Sequence, residues 1–207
     1  MVTTKRENMI EPALMKQMAT ITRETVVQNV VFGEVSGEMA TDATDFAAYI
    51  TELVIPEGVT KLTSANHNGE GYDIFTGFTN LRKITLPGTM TTIPAHVLGY
   101  SYGGTTPLNR PLKEIVISEG TTEISCYAFE EMYAIESITL PESLTTITMY
   151  AFYDSSIKEL YIPKNVSEIG EDAFAETAME KIIINKPEGS ISGAPWGATN
   201  AEIIWNG

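Results

Sequence analysis

The sequence predicts a repeat solenoid: stacked units of about 22 residues, each contributing one short parallel β-strand. Three observations carry that prediction. Apolar residues return at fixed places in every unit, a proline follows the strand segment in most units, and an Ala-Phe pair recurs further downstream. The register is plainest between residues 140 and 182. Leu-Pro-Glu-Ser-Leu at 140–144 returns as Ile-Pro-Lys-Asn-Val at 162–166, and Tyr-Ala-Phe at 150–152 returns as Asp-Ala-Phe at 172–174. Extended both ways, the unit starts at Ile50, Leu81, Leu112, Ile135, Ile157 and Met179, with a remnant near Ala201. The intervals are 31, 31, 23, 22, 22 and 22 residues.

Each row of the repeat has a physical reading. Counting from these starts, the fourth position is Leu53, Ile84, Ile115, Ile138, Leu160 and Ile182, and the sixth is Ile55, Leu86, Ile117, Leu140, Ile162 and Ile184. Apolar residues two apart with polar neighbours between them are the signature of a half-buried strand. Pro56, Pro87, Pro141 and Pro163 come next, replaced by Ser118 and Asn185 in the other two units. A proline has no N–H to give a ladder, so it ends the strand. Leu62, Ile93, Ile124, Ile147 and Ile169 hold the thirteenth position, and Ala128-Phe129, Ala151-Phe152 and Ala173-Phe174 close three units. One unit cannot bury its own apolar edge, so units must stack and share a core.

The pattern L-x-x-I-x-I-P with Ala-Phe downstream resembles the BspA-type leucine-rich repeat of bacterial surface proteins, over roughly residues 50–207. The resemblance implies a leucine-rich-repeat solenoid, either an α/β-type horseshoe or a β-rich form. It also implies adhesion or surface binding as the work of the fold. Two departures stand out. No asparagine recurs after the strand motif from unit to unit, so no asparagine ladder is expected, and Val97-Leu98 replaces Ala-Phe in the second unit.

The two long intervals hold inserts. "SANHNGEGY" at 64–72 precedes Ile74-Phe75, which takes the aromatic place late, and "YSYGGTTPLNR" at 100–110 precedes the third unit. Both are rich in Gly, Asn, Ser and Thr and read as surface loops, of the kind solenoids place on one face. The six units span 50–192, and residues 193–207 break the pattern. Gly193-Ala194-Pro195-Trp196 takes the aromatic place, and Ile203-Ile204-Trp205 supplies a last short strand. Both tryptophans suit a cap over the final apolar layer. Residues 1–49 carry no repeat. Ile10, Leu14, Met18 and Ile21 lie at helical spacing, a strand follows over 25–37, and Phe46 and Tyr49 can cover the first unit. This segment is expected to be a cap or an attachment and oligomerisation element.

Composition narrows the function. With 43% hydrophobic and 19% charged residues the chain is globular, and its net charge of −14 argues against nucleic-acid backbones and anionic membranes. No apolar run is long enough to span a bilayer, and the N-terminus does not read as a secretory signal. Either a signal has been removed or the protein leaves its cell by another route. The single cysteine, Cys126, forbids an intrachain disulfide and has no sequence partner that would make it a nucleophile. His67 and His96 stand in different units without catalytic or metal spacing, and His67, Glu70 and Asp73 are too few acids for a hard-cation site. No phosphate loop or nucleophile elbow is present. The sequence therefore predicts no enzyme, no cofactor and no metal.

What remains is surface. The fifth position, between the two buried strand positions, reads Val54, Thr85, Val116, Thr139, Tyr161 and Ile183. At about 4.8 Å per rung these residues form an outward stripe roughly 25 Å long. Beside it the third position reads Glu52, Lys83, Glu114, Ser137, Glu159 and Lys181. This stripe is the candidate contact for a protein or glycan partner, with His67 and Tyr72 from the first insert and Tyr100 and Tyr102 from the second. Two settings fit. One is a cell-surface or secreted adhesion module; the other is a component of a phage tail or related injection particle that displays the repeats to a host.

The N-terminal ridge generates a prediction, because a three-turn helix is marginal alone and must bury its apolar side. If it pairs with other copies, giving a multivalent binder its avidity, the full chain sediments as an oligomer at tens of micromolar, and a chain starting at Thr41 sediments as a monomer. A monomeric full chain removes the oligomer reading.

Overall fold

The computed structural model describes residues 51–55, 57–60, 62, 75, 78–98 and 111–207. The N-terminal helix and strand expected within 1–49, and the two inserts at 64–72 and 100–110, lie outside the described residues. The described residues contain eleven strands. They are β1 (Glu52–Val54), β2 (Lys83–Leu86), β3 (Thr92–Ile93), β4 (Glu114–Ile117), β5 (Glu123–Ile124), β6 (Ser137–Thr139), β7 (Thr146–Ile147), β8 (Glu159–Ile162), β9 (Glu168–Ile169), β10 (Lys181–Ile184) and β11 (Glu202–Trp205).

Every pairing is parallel and joins equivalent positions of successive units. Leu53 stands opposite Ile84, Ile84 opposite Ile115, and Ile115 opposite Ile138, in the sheet β1-β2-β4-β6. Leu160, Ile182 and Ile203 align in the same way in β8-β10-β11. The two sheets follow one another along the stack, and the hydrogen-bonded ladder lapses between β6 and β8. The proline rule is visible at Pro87, Pro141 and Pro163, each of which follows the apolar sixth position where the strand gives way to a turn.

One expectation is corrected. The sequence predicts a single strand per unit, but four units carry a second one, and these pair as β3-β5-β7-β9. Each has two residues, an outward Thr or Glu and the buried isoleucine of the thirteenth position. So short a strand has no periodic signal of its own. It exists because the neighbouring rung presents its backbone in register. Of the two leucine-rich-repeat forms the sequence allows, the described residues take the β-rich one: the return from the second strand is made of turns, with no helix.

The core lies between these sheets and the turns. Isoleucines and leucines of the first, fourth, sixth and thirteenth positions are buried through the described units. The Ala-Phe pairs form an aromatic column on the third side. Ring centroids are 5.3 Å apart for Phe129 and Phe152, 5.4 Å for Phe152 and Phe174, and 6.4 Å for Phe174 and Trp196. Trp196 thus stands where a phenylalanine stands in the units before it, with its indole N–H donated to the Ser192 carbonyl at 2.7 Å and Trp205 packed 6.4 Å beyond. Val97 and Leu98 fill the same place in the second unit and are fully buried. Phe75 is buried too, edge-on to Phe78 at 5.8 Å.

The turns have a ladder of their own. The N–H of each of three phenylalanines of the column reaches a carbonyl of the next rung: Phe129 to Ala151 at 2.8 Å and Phe152 to Ala173 at 2.9 Å, each just before the next ring, and Phe174 to Trp196 itself at 2.9 Å. Buried turn amides are thereby satisfied, as a dry core requires.

Phe152 touches aromatic rings on both sides, so Phe152→Ala should open a cavity mid-column. We expect a loss of about 3–5 kcal/mol, read as a lower urea midpoint with an unchanged slope.

Candidate functional site

The strand face is built by alternation. Because the fourth and sixth positions point into the core, the third and fifth point out. Val54 and Tyr161 are 48% and 44% exposed, Thr139 is exposed, and Thr85, Val116 and Ile183 are partly covered by their neighbours. Ile204 of β11 pairs with Ile183 and prolongs the row by one rung. Thr139 and Tyr161 flank the place where the ladder lapses between β6 and β8. The row thus runs β-branched for four rungs, then presents a phenol, then two isoleucines. His67, Tyr72, Tyr100 and Tyr102 lie outside the described residues.

Charged residues line the start of the strands, and they pair from rung to rung. Lys83 donates to Glu114 at 2.6 Å, Lys113 pairs with Glu136, Lys158 donates to Glu180 at 2.7 Å, and Lys181 lies 3.9 Å from Glu159. The hydrogen bond and charge of Lys158 hold the Glu180 carboxyl below its ordinary range, and Glu180 raises the Lys158 ammonium in return. Exposed pairs of this kind add little stability. Their effect is on register, since a rung displaced by one residue would set like charges side by side. Between them lies an open groove of about 380 Å³, bounded by Thr51, Glu52, Arg82, Lys83, Lys113 and Glu114, with Glu136 and Ser137 at one end. Arg82 lines this groove beside Glu52, Glu114 and Glu136 and makes no ion pair among the described residues.

The turn after the strand carries a second device. Glu57 accepts hydrogen bonds from the N–H groups of Gly88 and Thr89, both at 3.0 Å, and Glu119 accepts from Glu142 and Ser143 at 2.8 and 3.1 Å. Each carboxylate thus caps the next rung's turn. The bonds from the Gly88 and Glu142 amides, first among the causes, hold these carboxyls below their ordinary value. Gly88 is needed at this turn because a Cβ there would lie 1.6 Å from the Glu119 carbonyl oxygen.

The described residues offer little to catalysis. None of them form a group of three His, Cys, Asp or Glu arranged to hold a metal ion, and no described helix is long and apolar enough to cross a membrane. Cys126 is a free, half-buried thiol. His96 Nδ1 lies 3.3 Å from Glu130, away from the strand face.

Sequence reasoning missed one set of surface residues. The position just before each Ala-Phe pair, and before Val97-Leu98 in the second unit, has the left-handed backbone, with φ of 54° at His96, 56° at Tyr127 and Tyr150, and 54° at Asp172. His96, Tyr127 and Tyr150 stack with centroids 5.1 Å apart. The signal was there in the repeated Tyr-Ala-Phe, but an aromatic in that conformation has no precedent in propensity.

Parallel rungs, an apolar row at every second strand position and an aromatic column on the turn side define a leucine-rich-repeat solenoid. More particularly, residues 108–195 match the family model described as the BspA type leucine rich repeat region (6 copies). Among solved structures the chain is similar to the pneumococcal vaccine antigen PcpA, at 18% identity and TM-score 0.46, over 76% of this chain and 37% of that one. A leucine rich cell surface protein from Faecalibacterium prausnitzii matches at 24% identity and TM-score 0.43, over 65% of this chain and 39% of that one. A leucine-rich repeat protein from Bacteroides ovatus matches at 20% identity and TM-score 0.40, over 76% and 56%. This chain spans less than two thirds of the length of each of these three. No curated protein sequence matches it.

The Glu119 cap generates a pH prediction. Its folded-state value is depressed below the ordinary 4.5, so its contribution is complete above that pH and is lost as pH falls through the lower, folded value. Glu119→Gln should therefore have a lower denaturation midpoint than the parent at pH 7, and the gap should close as the pH is taken to 3. A gap that stays constant with pH would mean that the charge contributes nothing.

Proposed function

We propose that the chain is a non-enzymatic extracellular recognition module that binds a protein or glycan through its strand face. The observation that carries this reading is the outward row at the fifth position, where Val54 and Tyr161 remain nearly half exposed in line with Thr85, Val116, Thr139 and Ile183. A strand row kept for solubility alone would be charged, as the row beside it is. The open groove with Arg82 lies next to the upper part of the row and gives it a polar neighbour. A flat apolar stripe with a polar margin is the general form of a contact surface, in which a few desolvated side chains supply most of the affinity. The match of residues 108–195 to a repeat of bacterial surface proteins supports the extracellular setting.

The test is a screen of the full chain on glycan and extracellular-protein arrays, repeated with the double variant Thr139→Glu/Tyr161→Glu. Two carboxylates on an exposed row cost little folding energy, whereas an apolar contact cannot absorb them unpaired. Binding should fall at least about tenfold, the loss of a single hot spot, with circular dichroism and melting unchanged. Binding that survives in the double variant excludes the strand face.

A further inference from the structure

The turn side carries a column of rings that the strand face does not use. His96, Tyr127, Tyr150 and Asp172 occupy one place in four successive rungs and share one left-handed backbone conformation. Their Cβ bonds therefore leave the backbone in the same direction. The first three rings stack almost parallel, with interplanar angles of 5° and 10°, and Tyr153 stands edge-on to Tyr150 at 5.8 Å. The fourth rung holds a carboxylate in place of a ring. Among the described residues no aromatic group covers the far face of Tyr150, and the Asp172 side chain makes no hydrogen bond or ion pair. Met149, next to Tyr150, is 48% exposed, and Glu171, next to Asp172, is exposed as well.

The left-handed conformation is unfavourable for an aromatic residue, and aspartate tolerates it better. The three rings that hold it stack across the rungs. At Tyr150 the stack stops, leaving a π face with an unneutralised carboxylate about one rung, roughly 4.8 Å, further along. A planar cation fits both demands. A guanidinium stacks on a tyrosine face and donates a forked pair of hydrogen bonds to a carboxylate, whereas an ammonium meets the charge but not the plane. Glu131, Asp154 and Glu176 recur four residues on in the same turns, so a basic segment lying along the axis meets a carboxylate on successive rungs. The chain's net charge of −14 steers such a partner towards it.

We propose that the Tyr150–Asp172 end of this column is a docking site for an arginine side chain of a basic partner protein. It is separate from the strand face and does not depend on the function proposed for that face.

Isothermal titration of the full chain near physiological salt tests it with three capped peptides: hexa-arginine, hexalysine and the neutral isostere hexacitrulline. Hexa-arginine should bind more tightly than hexalysine, and hexacitrulline should not bind. Asp172→Asn keeps a residue at ease in the left-handed region and removes only the charge. It and Tyr150→Leu should each weaken hexa-arginine about three- to fivefold, while Glu188→Gln, an equal change of charge on an exposed turn elsewhere, should not. Should Tyr150→Leu lower the melting temperature, Asp172→Asn decides alone. Absence of hexa-arginine binding, an equal affinity for hexalysine, or an equal effect of Asp172→Asn and Glu188→Gln overturns the proposal.

Discussion

No rung of this protein can bury its own apolar edge, and the stacking of one rung on the next is the constraint that the rest of the structure meets. A rung offers three to five buried isoleucines or leucines and, in most units, an aromatic ring, too little area by itself to offset the entropy of ordering some 22 residues. Laid on its neighbours in register, it shares both faces of that layer. Register therefore matters more than composition. A slip of one residue would turn Ile84, Ile115 and their equivalents to solvent and bring the outward row inside.

The register is guarded at three places around each rung. On the strand side the backbone ladder aligns the isoleucines, and the lysine–glutamate pairs outside it alternate in sign from rung to rung. At the first turn Glu57 and Glu119 reach across to cap amides of the following rung. On the turn side the column amides bond forward to the next rung's carbonyls. None of these contributions is large alone. Together they make one alignment better than its neighbours, which is how a repetitive sequence avoids the many near-equal registers its own similarity invites.

Once the interior is committed in this way, variation is free only outside. The strand face and the turn face both use that freedom, and they use it differently. The strand face carries aliphatic and threonine side chains and Tyr161 beside paired charges. The turn face concentrates rings and carboxylates, with Glu131 pushed above its usual value first by burial and then by Glu130 and Asp154. Asp154 accepts the Tyr133 hydroxyl at 2.8 Å, and Glu130 lies 3.3 Å from His96.

The sequence by itself determined the rungs. Rows one, four, six and thirteen and the Ala-Phe places could be read because burial admits only apolar residues there, and six imperfect copies say so together. The outward direction of Val54 through Ile183 followed from the same alternation. The second strand, the caps by Glu57 and Glu119, the ion pairs and the ring column were not legible. Each joins residues about one unit apart in the chain, and each exists only after stacking brings equivalent positions within about 5 Å. Tyr127 and Tyr150 are the plainest case. In the sequence they are two tyrosines before two Ala-Phe pairs, and their left-handed backbone is locally unfavourable. Asp172 takes the same backbone without a ring, so the conformation belongs to the turn, and only the stacking of rungs brings the rings close enough to meet.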